Sequence, residues 1–208
     1  MDINRFKELP IMGIVRGVKE TEVEPLIETV ISAGLKTIEF AMNVPDAGQH
    51  IKRAKKAAND RMAIGAGTVL TERSLRSALD SGASFIVMPT LVPAIMEFCT
   101  KEKIPVFPGA LTPQEIYNAW NAGATMVKVF PVKFFGPDYI KEIKGPLDKI
   151  ELLACGGVRP DNISSFLSNG ASAVAFGGSV FKGEWLEKGK FSLIAECIRS
   201  LIAGLKNS

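Results

Sequence analysis

The feature that most constrains the fold of this chain is a short signal that recurs along it. A helix-like stretch ends at a glycine, and a short apolar run follows. Glycine suits the position after a helix because it adopts positive φ without a steric penalty. The signal therefore indicates repeated helix–turn–strand units, and it occurs in the segments SAGLKTIEFAM (32–42), DSGASFIVMP (80–89), NAGATMVKVFP (121–131) and SNGASAVAFGG (168–178).

Four further apolar runs alternate with these copies, the first of them preceding the first copy. Each is bounded by glycine or proline, as strands commonly are. The eight runs together are continuously apolar rather than alternating, which indicates a parallel sheet covered on both faces. The additional runs are PIMGIVRG (10–17), RMAIGAGTV (61–69), IPVFPGA (104–110) and IELLACGG (150–157).

The segments between the runs have helical patterns. Thr21 followed by Glu24 predicts a capping box at the start of the first such helix. Thr112 followed by Glu115, with proline between them, predicts a second one. Weaker helical patterns cover 74–80 and 160–167.

Eight strand–helix units predict an α/β fold, a compact closed (β/α)8 TIM barrel. No stretch rich in serine, proline and glycine divides the chain, so we expect a single domain over 1–208. An open doubly wound sheet is the alternative. Against it, no GxGxxG follows the first strand, and polar groups follow many strands rather than one switch point.

The cysteine and histidine content limits the chemistry. The three cysteines, Cys99, Cys155 and Cys197, lie far apart, and the sequence has one histidine, His50. This pattern indicates no disulfide framework and no transition-metal site, because such sites usually need several clustered ligands. We therefore expect no metal and no cofactor. Cys99 and Cys197 suit core positions on helices, and His50 suits a surface or structural position.

Charge and hydropathy indicate the kind of partner. The net charge is +3, from 25 Lys+Arg and 22 Asp+Glu. The densest basic run, KRAKK (52–56), is typical of a solvated helix face rather than a nucleic-acid site. No uncharged apolar run reaches the ~18 residues of a membrane helix, and no secretory signal is visible. We expect a cytoplasmic protein with small-molecule partners, no nucleic acid and no membrane contact.

Two ionisable residues lie inside apolar runs. Lys128 lies in VKVF and Glu39 in TIEFA, where a charge is costly unless it is paired. Burial of Lys128 favours the neutral amine that a Schiff base requires, and a carboxyl beside it can act as a general acid or base. The alternatives are a lysine whose head reaches out of the barrel mouth and an ion pair with no chemistry.

The ends of the predicted strands also carry candidate anion-binding groups, and barrel active sites lie at those ends. Gly156–Gly157 and Gly177–Gly178, the second followed by Ser179, come after the last two strands. Bare backbone N–H groups there can bind a phosphate, with tight turns as the alternative. Arg16 and Thr68 follow the first and third strands and suit a substrate carboxylate, unless Arg16 is only a surface residue.

At this point the sequence resembles a known family, the bacterial aldolases of 2-keto-3-deoxy-6-phosphogluconate (KDPG) and 4-hydroxy-2-oxoglutarate (KHG). The likeness runs from about Leu9 to Phe181. The segments that carry it are IVRG (14–17), IEFAMNVPDA (38–47), IGAGTV (64–69), FIVMPTL (85–91), PVFPGALTPQE (105–115), VKVFP (127–131), GPDYIKEIKGP (136–146), CGGVRPDN (155–162) and FGGSVF (176–181).

The resemblance implies a homotrimeric (β/α)8 barrel that works as a lyase through a Schiff base. Carried over by motif, Lys128 is the implied Schiff-base lysine and Glu39 the implied acid/base. The other implied contacts are Arg16, Thr68, Pro89, Gly109, Phe130 and Cys155 around the substrate, and Gly156, Gly157, Gly178 and Ser179 at its phosphate.

The resemblance also implies a reaction. The expected activity is a metal-free class I aldolase that cleaves KDPG to pyruvate and glyceraldehyde 3-phosphate, as in the Entner–Doudoroff pathway, with KHG as a further substrate. Asn43 stands where many members carry Arg, and Cys155 where many carry Thr, so the 6-phosphogalactonate epimer is an alternative. A phosphosugar epimerase or isomerase on the same barrel and a non-enzymatic ligand sensor are the alternatives from other classes.

Overall fold

A single parallel sheet organises the protein. The computed structural model describes residues 1–205, so the last part of the domain expected over 1–208, residues 206–208, lies outside the described residues. The strands are β1 (Ile11–Val15), β2 (Thr37–Ala41), β3 (Ala63–Gly67), β4 (Ile86–Val87), β5 (Val106–Phe107), β6 (Gly109–Ala110), β7 (Val127–Val129), β8 (Leu152–Cys155) and β9 (Ala173–Phe176).

The sheet closes on itself through one divided strand. Its order is β5-β4-β3-β2-β1-β9-β8-β7-β6, and β5 and β6 are two halves of one apolar run, separated at Pro108, which has no N–H to donate. The N–H of Thr125 donates to the Val106 carbonyl at 2.8 Å, and the N–H of Lys128 donates to the Pro108 carbonyl at 2.8 Å. The predicted (β/α)8 barrel is therefore confirmed, and the open sheet is wrong.

Helices cover the outside of the barrel, and one precedes it. Each strand of the barrel is followed by a helix, as the repeated sequence signal predicts. The helices are α1 (Ile3–Glu8), α2 (Val23–Ser32), α3 (Ala47–Ala58), α4 (Glu72–Asp80), α5 (Pro93–Lys101), α6 (Pro113–Asn121), α7 (Gly136–Lys144), α8 (Ile163–Ser168), α9 (Gly183–Glu187) and α10 (Phe191–Leu205), with 3₁₀ turns at Glu20–Glu22 and Val132–Phe134.

One of the two predicted capping boxes is present. The Thr112 side chain accepts from the N–H of Glu115 at 3.3 Å, and the Glu115 carboxylate accepts from the N–H of Thr112 at 2.8 Å. The box at Thr21 is wrong, because Thr21 lies within the 3₁₀ turn that runs into α2, so its backbone is not that of a residue preceding a helix. The helix predicted over 160–167 begins three residues later in the structure, where α8 starts at Ile163.

The predicted structural residues lie mostly where the sequence places them. Cys99 is buried on α5, Cys197 is half-buried on α10, and all three cysteines are free thiols. His50 is buried on α3 with its ring centroid 6.4 Å from that of Phe40, so its role is structural and a surface position is wrong. The cations of KRAKK (52–56) are exposed, and Arg53 pairs with acids of the preceding segment. Within residues 1–205, no helix is long and apolar enough to cross a membrane.

Two apolar layers surround the sheet. The larger one lies between the strands and the outer helices. The smaller one fills the barrel, and Phe6 of α1 closes its lower end by packing edge-on against Phe107, with ring centroids 6.1 Å apart. This packed floor leaves the opposite mouth as the open end; its buried members are Phe6, Met12, Phe85, Val87, Phe107, Met126, Leu153, Cys155, Ala173 and Ala175.

The ring of Phe85 occupies space that a side chain at position 65 would need. A Cβ built on Gly65 would lie 2.4 Å from the Phe85 ring. Phe85 is fully buried, and its ring centroid is 5.9 Å from that of Phe107, so it has little room to yield. Gly65 is therefore required by packing inside the barrel.

We expect Gly65→Ala to lower the free energy of unfolding by about 1–3 kcal/mol, the usual effect of overpacking a core. Urea denaturation followed by circular dichroism measures it. Gly183→Ala is the matched control, because a Cβ there meets nothing within 4 Å, and it should change stability by about 0.5 kcal/mol or less. Equal effects of the two substitutions would contradict this account of the barrel interior.

Candidate active site

A cavity of about 890 Å³ opens at the carboxyl ends of the strands. All the residues predicted as catalytic, substrate-binding or phosphate-binding line it except Gly109. Its walls combine charged, apolar and glycine positions from most of the barrel; they are Ile14, Arg16, Glu39, Thr68, Pro89, Lys128, Phe130, Lys133, Cys155, Gly156, Gly157, Arg159, Gly177, Gly178, Ser179 and Phe181.

The two buried ionisable residues meet at the base of this cavity. Lys128 comes from β7 and Glu39 from β2, and both side chains point into the barrel. Lys128 Nζ lies 3.8 Å from Glu39 Oε1, and the two side chains are 8% and 1% exposed. The alternative of a lysine head reaching out into solvent is therefore wrong.

Burial dominates the electrostatics of Glu39. It raises the pKa of the carboxyl above its ordinary value, while the charges of Lys128 and Arg16 act in the opposite direction. Glu39 Oε2 is buried and has no hydrogen-bond partner among the described residues. One carboxyl oxygen thus faces the amine and the other is free to bind a substrate hydroxyl or a water, which suits a group that exchanges protons.

Thr68 is held in a strained conformation at the end of β3. Its φ is 57°, which is rare for a β-branched residue and costs of the order of 1–3 kcal/mol. Backbone bonds on both sides hold it there: Met42 N–H donates to the Gly67 carbonyl at 2.7 Å, and Val69 N–H donates to that of Val87 at 3.3 Å. The Thr68 hydroxyl accepts from Arg16 Nη2 at 3.4 Å.

The paired glycines form two connected loops. Gly156 and Gly157 have φ of 100° and 80°, values that favour glycine. The Ser179 hydroxyl donates to the Val158 carbonyl at 3.1 Å and so ties the loop after β9 to the loop after β8. A Cβ on Gly178 would meet nothing within 4 Å, so its backbone faces open space in the cavity.

The remaining predicted residues shape the walls. Lys128 Nζ lies 5.5 Å from the ring centroid of Phe130. Burial raises the pKa of the Cys155 thiol and keeps it protonated, with Lys128 acting in the opposite direction. Gly109 lies behind the lining, and a Cβ on it would come within 2.1 Å of the Pro89 carbonyl oxygen. Its lack of a side chain lets two strands approach closely.

Asn43 is not part of the lining. Alternation along β2 would place Asn43 on the same face as Glu39 only if the strand continued that far, but β2 ends at Ala41 and Asn43 lies exposed in the following turn. The alternation that places Glu39 inward therefore stops before it reaches Asn43.

Two cations of the cavity were not predicted from the sequence. Lys133 and Arg159 lie in the loops after β7 and β8. Their position just after predicted strands was the available signal, but exposed cations in loops are common. With Arg16 and Lys128 they make four cationic side chains around one carboxylate, that of Glu39. The other missed residues are Ile14 and Phe181, whereas Gly177 belongs to a predicted glycine pair.

This arrangement suits imine chemistry on an anionic substrate. A buried amine lies beside a carboxyl, and cations and glycine loops line the walls around them. Among the residues that the structure describes, no three histidine, cysteine, aspartate or glutamate side chains are placed to hold a metal ion.

Known proteins share this sequence pattern and fold. The family model for KDPG and KHG aldolase matches residues 3–197. A probable 2-dehydro-3-deoxy-6-phosphogalactonate aldolase of Rhizobium meliloti is 34% identical over 176 residues, which cover 84% of this chain and 83% of that protein. A 2-dehydro-3-deoxy-phosphogluconate aldolase of Haemophilus influenzae is 31% identical over 206 residues, which cover 98% and 96%. The solved structure called "Native KDPGal structure" superposes with a TM-score of 0.88, 30% identity and 96% coverage of both chains.

We expect Lys128→Met to raise the pKa of Glu39 further, because the ammonium opposes the effect of burial. The carbon-13 shifts of labelled glutamate carboxyls report the titration, and Glu39→Gln assigns the resonance. The wild-type midpoint should lie above 4.5, the ordinary value. Arg159→Met is the control, since Arg159 pairs with Asp161 and does not contact Glu39. An unchanged or lower midpoint in Lys128→Met would show that the two groups do not interact.

Proposed function

Because this chain belongs to the KDPG and KHG aldolase family, and is therefore a carbon–carbon lyase, we propose that it cleaves a 2-keto-3-deoxy-6-phospho sugar acid through a Schiff base on Lys128. The family resemblance seen in the sequence is confirmed by that match. One observation carries the proposal: the buried Lys128 amine lies 3.8 Å from the Glu39 carboxyl. A nucleophile and an acid/base are thus within reach of the same substrate carbons.

In this reaction the Lys128 amine attacks the C2 ketone, and loss of water produces an iminium ion. Glu39 accepts the proton of the C4 hydroxyl as the C3–C4 bond breaks. The electrons of that bond move into the iminium, so the product is an enamine rather than a free carbanion. The aldehyde leaves as glyceraldehyde 3-phosphate. Protonation of the enamine at C3 and hydrolysis of the imine then release pyruvate and restore Lys128.

The two ends of the cavity suit the two anionic ends of this substrate. Arg16 and Thr68, joined by their hydrogen bond, would hold the carboxylate, with the fork of guanidinium donors on one side. The glycine loops and Ser179 would hold the phosphate through backbone N–H groups and one hydroxyl. Lys133 and Arg159 line the same cavity and add positive charge. Pro89, Phe130 and Cys155 would then surround the carbon chain.

The gluconate and galactonate substrates yield the same products. They differ only in configuration at C4, and C4 becomes the planar aldehyde carbon, so the same residues can perform both cleavages. The relatives include proteins of both names at 31–34% identity. KHG shares the ketone, the carboxylate and the C4 hydroxyl but carries no phosphate, so the Schiff-base step applies to it as well.

The rival functions make other demands on the cavity. A phosphosugar epimerase or isomerase needs an acid and a base but no amine nucleophile, and a ligand sensor needs neither. Neither function requires a buried amine, whereas Lys128 is only 6% exposed. Trapping of an imine separates the aldolase from both.

Assembly and location are further parts of the proposal. A homotrimer is supported by exposed aromatic side chains beside the mouth, where Phe134 is 77% exposed and Phe135 is 51% exposed. Such surface is typical of interfaces. A cytoplasmic location is supported by three free thiols, which suit a reducing compartment. A role in the Entner–Doudoroff pathway follows from the gluconate substrate.

We expect borohydride to trap pyruvate on this protein at Lys128. Mass spectrometry should show one pyruvate-sized adduct on the peptide that contains Lys128. Lys128→Ala should remove both the adduct and the cleavage activity, whereas Lys141→Ala, an exposed lysine on α7, should retain both. Labelling of another lysine, or activity that survives in Lys128→Ala, would rule out the imine mechanism.

We expect Ser179→Ala to raise KM for 6-phospho substrates about tenfold or more, because a hydrogen bond to a charged group contributes ~1.5–3 kcal/mol. The assay compares kcat/KM for both 6-phospho epimers, their unphosphorylated forms and KHG, and it also identifies the preferred C4 configuration. Ser168→Ala, on the exposed face of α8, is the control. Equal losses on phosphorylated and unphosphorylated substrates would remove Ser179 from the phosphate site.

A further inference from the structure

The carboxylate of Glu39 occupies the space of a missing side chain. Gly67 is the last residue of β3, and it pairs with Ala41 of β2. A Cβ built on Gly67 would lie 2.4 Å from Glu39 Oε2, 2.5 Å from its carboxyl carbon and 2.7 Å from Oε1. These are the three nearest heavy atoms, and all of them belong to the reactive end of one side chain.

The backbone does not require glycine at this position. The φ of Gly67 lies outside the range that disfavours side chains, unlike that of its neighbour Thr68. An alanine here would therefore be compatible with the strand, and its methyl group would first meet the Glu39 carboxyl. Gly65, on the same face of β3, shows the same relation to a different group, because its missing side chain makes room for the Phe85 ring.

Little else holds the carboxylate in place. Glu39 Oε2 has no hydrogen-bond partner among the described residues, and the contact of Oε1 with Lys128, at 3.8 Å, is longer than a hydrogen bond. Because no hydrogen bond from the described residues sets its orientation, steric fit against Gly67 and attraction to the Lys128 amine and the Arg16 guanidinium do so. A group at Gly67 would push the carboxylate out of the position from which it reaches Lys128.

We propose that Gly67 is a positioning residue for the acid/base. Because it has no side chain, it leaves the space in which the Glu39 carboxylate lies beside Lys128. The consequence for the reaction rests on the function proposed above. The three atoms nearest to a Cβ on Gly67 all belong to Glu39 and none to Lys128, so substitution there should leave the nucleophile able to form an imine. Proton transfer by Glu39 should suffer, in cleavage and in exchange of the pyruvate methyl protons alike.

The test compares Gly67→Ala, Glu39→Gln and the double variant. Gly67→Ala should lower kcat and the rate of methyl-proton exchange in D₂O at least tenfold, and no further than Glu39→Gln, for which the expected loss is about 10²–10⁴-fold. Trapping of pyruvate on Lys128 by borohydride should persist. In the Glu39→Gln background, Gly67→Ala should lower kcat by less than about twofold, whereas a general distortion of the barrel would lower it in both backgrounds.

A second variant covers the case in which Gly67→Ala does not fold. Glu39→Asp shortens the side chain by one methylene, so Gly67→Ala/Glu39→Asp should fold and unfold at a higher urea concentration than Gly67→Ala alone. Gly183→Ala is the control with no expected change. A kcat of Gly67→Ala within about twofold of wild type, or no recovery of stability by Glu39→Asp, would overturn the proposal.

One readout does not depend on turnover. The carbon-13 titration midpoint of the Glu39 carboxyl should move in Gly67→Ala, because the carboxylate is displaced from its position beside the amine. An unchanged midpoint would count against the proposal. If wild-type protein forms no pyruvate imine, the proposed function fails. The titration and the stability of the double variant would still decide whether Gly67 positions the carboxylate.

Discussion

The buried contact between Lys128 and Glu39 is the interaction on which the site depends. A single charge moved into a barrel costs several kcal/mol, and an opposite charge offsets this only in part. At 3.8 Å the two groups attract each other without a direct hydrogen bond. A tighter pair would occupy the amine and the carboxyl with each other. The observed separation lets each stabilise the other, and Glu39 Oε2 has no hydrogen-bond partner within the described part of the chain.

Closure of the sheet is what brings this pair together. The two residues come from β2 and β7, which are not neighbours in the sheet, and their side chains converge only inside a closed barrel. Below them, Phe6 and Phe107 fill the other end, and the pair lines the cavity that opens at the mouth. Gly67 lies against the Glu39 carboxyl, and the strained Thr68 lies beside Arg16. The geometry of the site thus depends on a missing side chain and a strained backbone at the end of β3.

Part of the site could be predicted from the sequence because some of its residues are unusual for their local pattern. A lysine and a glutamate within apolar strands, Lys128 and Glu39, have no ordinary explanation in a core. Lys133 and Arg159 gave no such signal, since cations in surface loops are common. Alternation would place Asn43 with Glu39 only if β2 continued to it, and the strand ends at Ala41. The capping box predicted at Thr21 is absent because a 3₁₀ turn precedes α2.

The sequence alone determined the number and order of strand–helix units and the barrel they form, and it marked Lys128 and Glu39 as ionisable residues within apolar strands. These follow from local rules: apolar runs, glycines that end helices and ionisable groups in apolar surroundings. Only the tertiary structure decided the distance between Lys128 and Glu39, the unpartnered carboxyl oxygen and the reason for the two inward glycines of β3. Each of these depends on side chains from strands far apart in the chain, and packing between them is a property of the closed barrel rather than of any one segment.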